Sequence, residues 1–284
     1  MRNNHFIKVL PAGLLCLLML TVGSCIHIDG SFWHPQVKHE RTVELSAPLA
    51  PGSDFTAQTH NGYIYVNGAE TEECSVTATI TGRAENDEDA LRIAEETQVN
   101  LESTGARLSA KIKKPDLARR QSVSVDLDVT VPHQTDLGLE THNGAFEIVN
   151  IVGDVDGVTH NGRVKIEQIT GDIEMQTHNG SFYCREVSGD MELVTHNGKV
   201  QAVYAESAPP VCDVSIVSHN GSLDLTTPTN FSADVTVSTH NGSISTDLPL
   251  TITGKFGKRK INGTIGDGQG NLHLETHNGS IKIR

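Results

Sequence analysis

Residues 141–198 read THNGAFEIVNIVGDVDGV, THNGRVKIEQITGDIEMQ, THNGSFYCREVSGDMELV and THNG, which are three copies of an 18-residue repeat and the start of a fourth. The phrase Thr or Ser followed by His-Asn-Gly recurs along the whole chain of 284 residues. Its eight copies begin at residues 59, 141, 159, 177, 195, 218, 239 and 276. Eight copies of one phrase do not arise by chance, and they indicate a repeat architecture.

Within each copy, apolar residues alternate with polar ones between short turns. In the first regular copy Phe146 and Ile148 are followed, after a step of three, by Ile151, and a Gly-Asp turn then leads to another alternating stretch. Alternation with a period of two predicts short strands with one buried face, and the repeat has no helical period. A short unit that buries this face only by stacking on its copies is typical of a solenoid.

The repeat therefore predicts an all-β fold, a parallel β-helix whose rungs have about 18 residues. We expect corners at Asn-Gly, between the second and third apolar positions, and at Gly-Asp, and we place Asn262-Gly263 at the corner missing before Thr276. A meander of hairpins is the alternative, because Asn-Gly is also the strongest two-residue hairpin signal. The step of three between Ile148 and Ile151 favours the solenoid, since a hairpin strand would need a bulge there.

The Asn-Gly corners carry the structural residues of the repeat. The four regular corners are Asn143 and Gly144, Asn161 and Gly162, Asn179 and Gly180, and Asn197 and Gly198. We expect the Asn side chains to point inward and to hydrogen-bond to one another along the stack. We expect the glycines to adopt backbone angles that other residues avoid.

The Thr of each phrase shares the parity of the buried positions, so its side chain should point inward and the neighbouring His outward. The outward histidines are His60, His142, His160, His178, His196, His219, His240 and His277. Stacked in register, their imidazoles would lie about 5 Å apart. Pairs of them could then share a divalent metal ion, whereas the alternative is a solvated ladder that was copied with the repeat. The candidate metal ligands are His142, His160, His178 and His196.

The Gly-Asp turns place Asp154, Asp172 and Asp190 in a second column. The nonapeptide signature of calcium-binding β-rolls is absent, so we predict no calcium site there. The sequence also lacks a nucleophile elbow, a metalloprotease helix and a phosphate loop, and we predict no catalytic residue and no cofactor.

Between the first two copies the repeat is absent, and residues 41–135 are predicted to form an N-terminal β region that caps the solenoid of residues 136–284. Asn86 is expected to cap a short helix that ends near Gln98. The predicted buried face of that helix comprises Ala90, Leu91 and Ala94. Alternation predicts a strand over residues 76–80, a hairpin over 99–112 and a strand over 123–131.

The segment 1–24 is typical of a secretory signal peptide. Arg2 and Lys8 precede an apolar run over residues 9–22, which is too short to span a membrane. The run ends in Val-Gly-Ser-Cys25, which resembles the lipobox of bacterial lipoproteins and implies a lipid on Cys25. An ordinary secretory signal with a chance cysteine is the alternative.

The segment 25–40 has no period and is predicted to be a lipid-anchored tether. By the sorting habit of enteric bacterial lipoproteins, Ile26 after the cysteine favours the outer membrane of a Gram-negative cell envelope. The formal net charge of −13 at pH 7, with His neutral, disfavours nucleic acid as a partner, because an acidic protein repels phosphates. Cys74, Cys184 and Cys212 form no disulfide framework and no zinc site, which leaves one bridge or three buried thiols.

The Thr-x-Asn-Gly-x-apolar repeats, the strand that ends at Val131-Pro132 and the closing residues 274–281 resemble the bacterial putative-adhesin domain of unknown function. The resemblance covers roughly residues 40–284 and implies a right-handed parallel β-helix on or near the cell envelope. It implies no catalytic residue. The His in every copy departs from the usual pattern of that domain.

These observations predict a non-enzymatic, lipid-anchored envelope scaffold that binds proteins or glycans on the long faces of a solenoid. The first alternative is a metal-binding or pH-sensing envelope protein that uses the His column. The second is a polysaccharide-active β-helix enzyme, but no departure from the repeat brings two carboxylates and an Arg together.

Overall fold

The computed structural model of the chain describes residues 36–252 and 257–284. The predicted signal peptide, Cys25 and the tether up to residue 35 lie outside the described residues. Strand β1 (Val37–Pro48) follows, so residues 37–40, predicted as the end of the tether, are strand instead. Val37 lies opposite Ala84 of a neighbouring strand and packs against the core, which explains why the strand begins there.

The N-terminal part contains six further strands and one helix. They are β2 (Ser53–Gln58), β3 (Ile64–Ala69), β4 (Glu73–Ala84), α1 (Asp87–Glu96), β5 (Gln98–Thr104), β6 (Arg107–Lys113) and β7 (Ser122–Pro132).

The repeats contribute sixteen strands among the described residues. They are β8 (Thr135–Asn143), β9 (Phe146–Val152), β10 (Val155–Asn161), β11 (Val164–Thr170), β12 (Ile173–Asn179), β13 (Phe182–Ser188), β14 (Met191–Asn197), β15 (Val200–Tyr204), β16 (Asp213–Asn220), β17 (Leu223–Thr226), β18 (Ala233–Asn241), β19 (Ile244–Thr246), β20 (Leu250–Ile252), β21 (Lys260–Ile265), β22 (Gly270–Asn278) and β23 (Ile281–Ile283).

The strands form two sheets that alternate along the chain. The first sheet has the spatial order β1-β4-β7-β3-β9-β11-β13-β15-β17-β23-β19, and the second has β20-β21-β18-β22-β16-β14-β12-β10-β8-β2-β6-β5. From β8 to β15 each strand pairs in parallel with the strand two elements further on, so that Val164 lies between Phe146 and Phe182 of the adjacent repeats. A meander of hairpins would pair its strands antiparallel, and that alternative is therefore wrong for the repeats.

One rung of the stack is a strand of the second sheet with the strand of the first sheet that follows it. The corner predicted between the second and third apolar positions is not a break between strands. Asn150, Gln168 and Glu186 have left-handed backbone, with φ of 62°, 58° and 56°, inside strands that continue past them. The left-handed residue shifts the alternation by one, so that Ile148 and Ile151 both face the core.

A single apolar core fills the space between the inner faces of the two sheets. Each rung contributes alternate residues to it, and the largest fully buried side chains include Phe55, Phe146 and Phe182. Because successive rungs place like residues over one another, Phe146, Val164, Phe182 and Val200 form one apolar column. Burial of such side chains contributes about 1.5–3 kcal/mol each relative to exposure.

The last rung does not follow the order of the sequence. Strand β22 pairs in parallel with both β16 and β18, and β23 pairs with both β17 and β19, so the final residues lie between two earlier rungs. The Asn262-Gly263 pair, predicted as a corner of the stack, lies within β21, which runs antiparallel to β18. That prediction was wrong because a resemblance to the repeat phrase does not reveal which strand a segment pairs with.

The N-terminal region extends both sheets. Strands β7, β4 and β1 continue the first sheet beyond β3, and the antiparallel hairpin β5-β6 continues the second beyond β2. The first phrase copy belongs to the stack, since β2 pairs with β8 and β3 with β9. The predicted helix is confirmed, and it ends at Glu96.

The helix is capped by Asn86, whose Oδ1 accepts a hydrogen bond of 2.8 Å from the backbone N–H of Asp89. Its buried residues are Ala90, Ile93 and Ala94, whereas Leu91 is 38% exposed, so the inclusion of Leu91 in the buried face was wrong. Positions 90, 93 and 94 have the i, i+3, i+4 spacing that places side chains on one face of a helix. In the described part of the chain, no helix is long and apolar enough to cross a membrane.

Cys74, Cys184 and Cys212 are free and buried. Burial raises the pKa of the Cys74 and Cys184 thiols to about 12, so neither is a thiolate at neutral pH. The three cysteines therefore pack as small apolar side chains.

Candidate functional site: the histidine ladder and the grooved face of the second sheet

The repeated phrase places its Thr inside the protein and its His outside, as predicted. The Thr and Ser side chains are at most 7% exposed, and the neighbouring histidines are exposed. Each buried hydroxyl finds a partner in the rung beside it: Oγ1 of Thr159 donates to the carbonyl oxygen of Gly144 at 2.9 Å, and Oγ1 of Thr195 to that of Gly180 at 3.0 Å. The buried Thr therefore ties one rung to the next.

The Asn side chains form a hydrogen-bonded ladder at the surface, not inside the protein. Nδ2 of Asn161 donates to Oδ1 of Asn143 at 2.8 Å, Asn179 to Asn161 at 2.8 Å, and Asn197 to Asn179 at 2.7 Å. The predicted ladder exists, but the inward orientation was wrong because each of these Asn residues is exposed. The corner begins at this residue, so the alternation of the preceding strand no longer holds.

The corner glycines are required by close packing and not, as predicted, by unusual backbone angles. Of the eight, only Gly62 has left-handed φ, at +133°. A β-carbon on Gly162 would overlap the carbonyl oxygen of Gly144, and one on Gly180 would overlap that of Gly162. In the stack, each corner therefore presses its backbone directly on the next corner.

We expect Gly180→Ala to lower the stability by about 3 kcal/mol, because the added methyl group meets backbone that cannot move without displacing the neighbouring corner. Gly138→Ala is the matched control, since its nearest neighbour would be the movable Thr56 methyl group at 3.2 Å. Urea unfolding monitored by circular dichroism measures both variants. Equal stability of the two would contradict the close-packing explanation.

The histidines form one continuous stack, which we call the histidine ladder. In spatial order it comprises His60, His142, His160, His178, His196, His219, His277 and His240. Neighbouring ring centroids are 4.6–5.0 Å apart and neighbouring ring planes differ by 2–5°. Burial, followed by the charges of Lys114 and His142, lowers the pKa of His60 at one end. The ladder repeats one imidazole per rung across all eight rungs.

A shallow groove of about 680 Å³ runs beside the ladder on the outer face of the second sheet. The ring edges line one side, and Val158, Gln176, Val194 and Val217 line the floor, with Glu140 and Glu275 at the ends. Val158 is 50% exposed, which is high for an aliphatic side chain in a regular strand. The groove thus offers apolar surface beside a row of imidazole nitrogens.

The other edge of the same face is acidic. The turn column contains Asp136, Asp154, Asp172, Asp190 and Asp213. The carboxylate of each accepts a hydrogen bond from the backbone N–H of the residue at the equivalent position in the neighbouring rung. These hydrogen bonds measure 2.8–3.0 Å. A second acidic column, Asp156, Glu174 and Glu192, lies beside the first and shares a surface hollow with it. Hydrogen bonds to backbone offset part of the like-charge repulsion in the turn column.

Burial, and then the charges of Glu174, Asp154 and Asp136, raises the pKa of Asp156 above its ordinary value of 3.8. A raised folded pKa means that the ionised carboxylate lowers stability above that pKa and has no such effect below the unfolded value. We therefore expect Asp156→Asn to raise the melting temperature at about pH 7 and to change nothing at about pH 3. Glu102→Gln, outside both columns, is the control. A drop in melting temperature at neutral pH would contradict the repulsion.

Residues 31–284 match the model of one protein family, Toastrack DUF4097. The chain belongs to the Toastrack DUF4097 family. No curated protein matches the chain. The all-β chain with its two open sheets is consistent with membership of this family.

Several solved structures are similar to this Toastrack chain. A "putative cell adhesion protein" from Clostridium sporogenes has 9% identity over 86% of this chain and 99% of its own, with a TM-score of 0.38. A "putative adhesin" from Bacteroides fragilis has 12% identity over 86% and 97%, with a TM-score of 0.40. A "putative lipid binding protein" from Parabacteroides distasonis has 13% identity over 87% and 97%, with a TM-score of 0.32.

The geometry of the Toastrack chain does not support the predicted shared metal ion. Two zinc–nitrogen bonds of about 2.0–2.1 Å reach at most about 4.2 Å between nitrogens, and the bonds of a tetrahedral ion reach less. The stacked rings of His142, His160, His178 and His196 are 4.8 Å apart and parallel, so a ring would have to leave the stack before two could converge. Among the described residues, no group of three or more His, Cys, Asp or Glu side chains could hold a metal ion.

The histidine ladder was predictable from the sequence, whereas the groove beside it was not predicted. The outward position before the Thr or Ser of the phrase is Val in three of the eight copies of this Toastrack chain, at Val158, Val194 and Val217. These Val residues alternate with the buried positions and therefore point outward. That pattern could have indicated exposed apolar surface, since a fully solvated face would carry polar residues there.

Proposed function

We propose that this Toastrack protein is a non-enzymatic scaffold of the cell envelope, adhesin-like, that binds a protein or glycan on the outer face of its second sheet. The observation that supports this most is the groove along the histidine ladder, which continues through six rungs. A hydrolase needs unlike groups that converge on one point, whereas this face repeats the same groups from rung to rung. Turnover of any glycan by the purified protein would contradict the non-enzymatic part.

The proposed scaffold is a right-handed parallel β-helix with rungs of about 18 residues. Strands β8 and β10 are parallel neighbours in one sheet that are connected through β9 in the other sheet. Connections of this kind between parallel strands are right-handed in about 98% of cases. A long, regular face of this type suits extended partners.

We further propose that a lipid on Cys25 anchors the scaffold to the envelope, at the outer membrane in a Gram-negative cell. Cleavage before Cys25 would put the lipid on the first residue of the mature chain, ahead of β1 in the sequence. Radiolabelled palmitate should label the wild-type chain and leave the Cys25→Ser variant unlabelled and unprocessed. Equal label in both would overturn the anchor without affecting the binding face.

Saturable binding of the labelled full chain to intact envelopes tests the binding face. The variant Val158→Glu with Val194→Glu introduces charge on the groove floor and should lose most of the binding. Val149→Glu with Val203→Glu, on the half-buried outer face of the first sheet, is the matched control and should bind like the wild type. Equal binding by the two variants would contradict the placement of the function on the second sheet.

A further inference from the structure

We propose that the histidine ladder and its groove bind a linear acidic glycan, with one carboxylate per sugar unit, that lies along the axis of the stack and is held only when the imidazoles are protonated. The inference rests on the proposed binding face and adds the class of ligand and its dependence on pH. Three observations support it: the period of the ladder, the charges around it and the apolar floor.

The period of the ladder selects the kind of polymer. Neighbouring imidazole ring centroids recur at steps of 4.6–5.0 Å along the stack, with ring planes that differ by 3–5°. A ligand that stays in step with the ladder must advance by that distance per unit, and one pyranose unit with its linking oxygen is about as long. Where neighbouring sugar units are rotated relative to one another, the carboxylates on one side of the chain still face rungs at a whole number of steps. An extended peptide advances about 3.3 Å per residue and returns a side chain to the same face only every second residue, so it falls out of step within a few rungs.

The positive charges that protonation would place on the ladder have no paired carboxylates among the described residues. His39, His133 and His273, outside the ladder, lie 3.5 Å from Asp87, 3.8 Å from Glu70 and 3.6 Å from Glu275 respectively. Within the described part of the chain, no carboxylate oxygen lies within 4.0 Å of a ladder nitrogen. Protonation therefore creates a row of like charges that an added anion can neutralise.

The other charged groups near the ladder lie at its ends or are engaged on the first sheet. Glu140 and Glu275 stand at the ends of the groove, and Lys114 approaches His60. Arg163 and Lys199 follow two of the corners, but Arg163 lies over the Tyr183 ring at 5.5 Å and Lys199 bonds Gln201, both on the first sheet. The long central part of the ladder is therefore governed by its own imidazoles.

The acidic columns at the other edge of the face strengthen the dependence of binding on pH. Asp154, Asp172 and Asp190 repel an anionic chain from that edge, so it is held against the imidazoles. Imidazole is the side chain whose charge changes between about pH 5 and 8. When the imidazoles lose their protons, attraction ends while repulsion by the carboxylates remains. The apolar floor at Val158, Val194 and Val217 meets the carbon-bound hydrogens of the sugar rings.

The test measures binding of an oligogalacturonate to the full chain by fluorescence anisotropy. We expect affinity to be about tenfold higher or more at about pH 5.5 than at about pH 7.5. The ladder variant His160→Gln, His178→Gln and His196→Gln should lose that gain. The matched control, His39→Gln, His133→Gln and His273→Gln, removes as many imidazoles outside the ladder and should keep it. Melting curves establish that both variants are folded.

Three results would overturn the inference: the same affinity at both pH values, the same loss in both triple variants, or equal binding of a neutral maltooligosaccharide or of polyglutamate of matched length. If oligogalacturonate fails to bind while the envelope assay still shows binding that the Val158→Glu and Val194→Glu changes abolish, the acidic glycan is wrong and the proposed function stands. If both assays fail, the proposed function is wrong as well.

Discussion

Replacing Phe182 by Asp is expected to lower the stability of the protein by about 4 kcal/mol or more. Phe182 is fully buried and lies between Val164 and Val200 in the apolar column of the first sheet. The substitution removes a large apolar side chain and places a carboxylate where the described core offers it only apolar neighbours from adjacent rungs. Chemical unfolding, followed by circular dichroism, measures the change in free energy.

Tyr183→Asp is the matched control, one residue along the same strand. Tyr183 is 37% exposed and points away from the core, where its ring lies 5.5 Å from the Arg163 guanidinium. We expect its replacement to cost less than about 1 kcal/mol, as is usual for surface positions. Similar losses in the two variants would mean that the inward and outward faces of the rung are wrongly assigned.

Removing residues 270–284 is expected to unfold the C-terminal part of the stack and to cost on the order of 6 kcal/mol or more. Leu272, Leu274, Ile281 and Ile283 are all at most 1% exposed. Their removal takes out a rung that pairs with β16 and β17 on one side and with β18 and β19 on the other. A stack built in sequence order would lose only its terminal rung.

Hydrogen exchange separates these two outcomes. In the truncated chain the amides of β18 should lose protection, whereas those of β10 and β12, several rungs away, should keep it. A synthetic peptide of residues 268–284, added to the truncated chain, should restore protection of β18 by pairing between the two exposed strands. Full protection of β18 in the truncated chain without the peptide would contradict the inserted position of the last rung.

Much of the fold could be predicted from residue spacing because stacking repeats a local rule. The alternation within each copy defines the buried face, and the regular recurrence of the phrase aligns like residues in neighbouring rungs. For this reason the outward His, the buried Thr and the column of Gly-Asp turns were predicted correctly. The helix start was also predictable, because Asn86 caps it through a contact three residues away.

Side-chain directions at the corners could not be predicted, because alternation stops where the strand ends. The Asn of each regular corner is exposed for this reason, although its ladder of hydrogen bonds is the predicted one. The reason for the corner Gly depends on how closely the backbone of the next rung approaches, which no single copy of the repeat contains. The left-handed Asn150 explains the step of three that looked like a corner.

The sequence by itself determined the strand class, the repeat, the buried faces and the existence of a histidine column, since each depends on neighbours within one rung. Only the tertiary structure decided which rungs touch, and it places the last rung between β16 and β18. It also decided that the stacked imidazoles stay parallel beside an apolar groove with carboxylates across the face. The physical reason is that the last rung pairs with residues 58 positions earlier in the chain. Because every copy has the same phrase, local sequence makes each copy an equally suitable neighbour for the last rung.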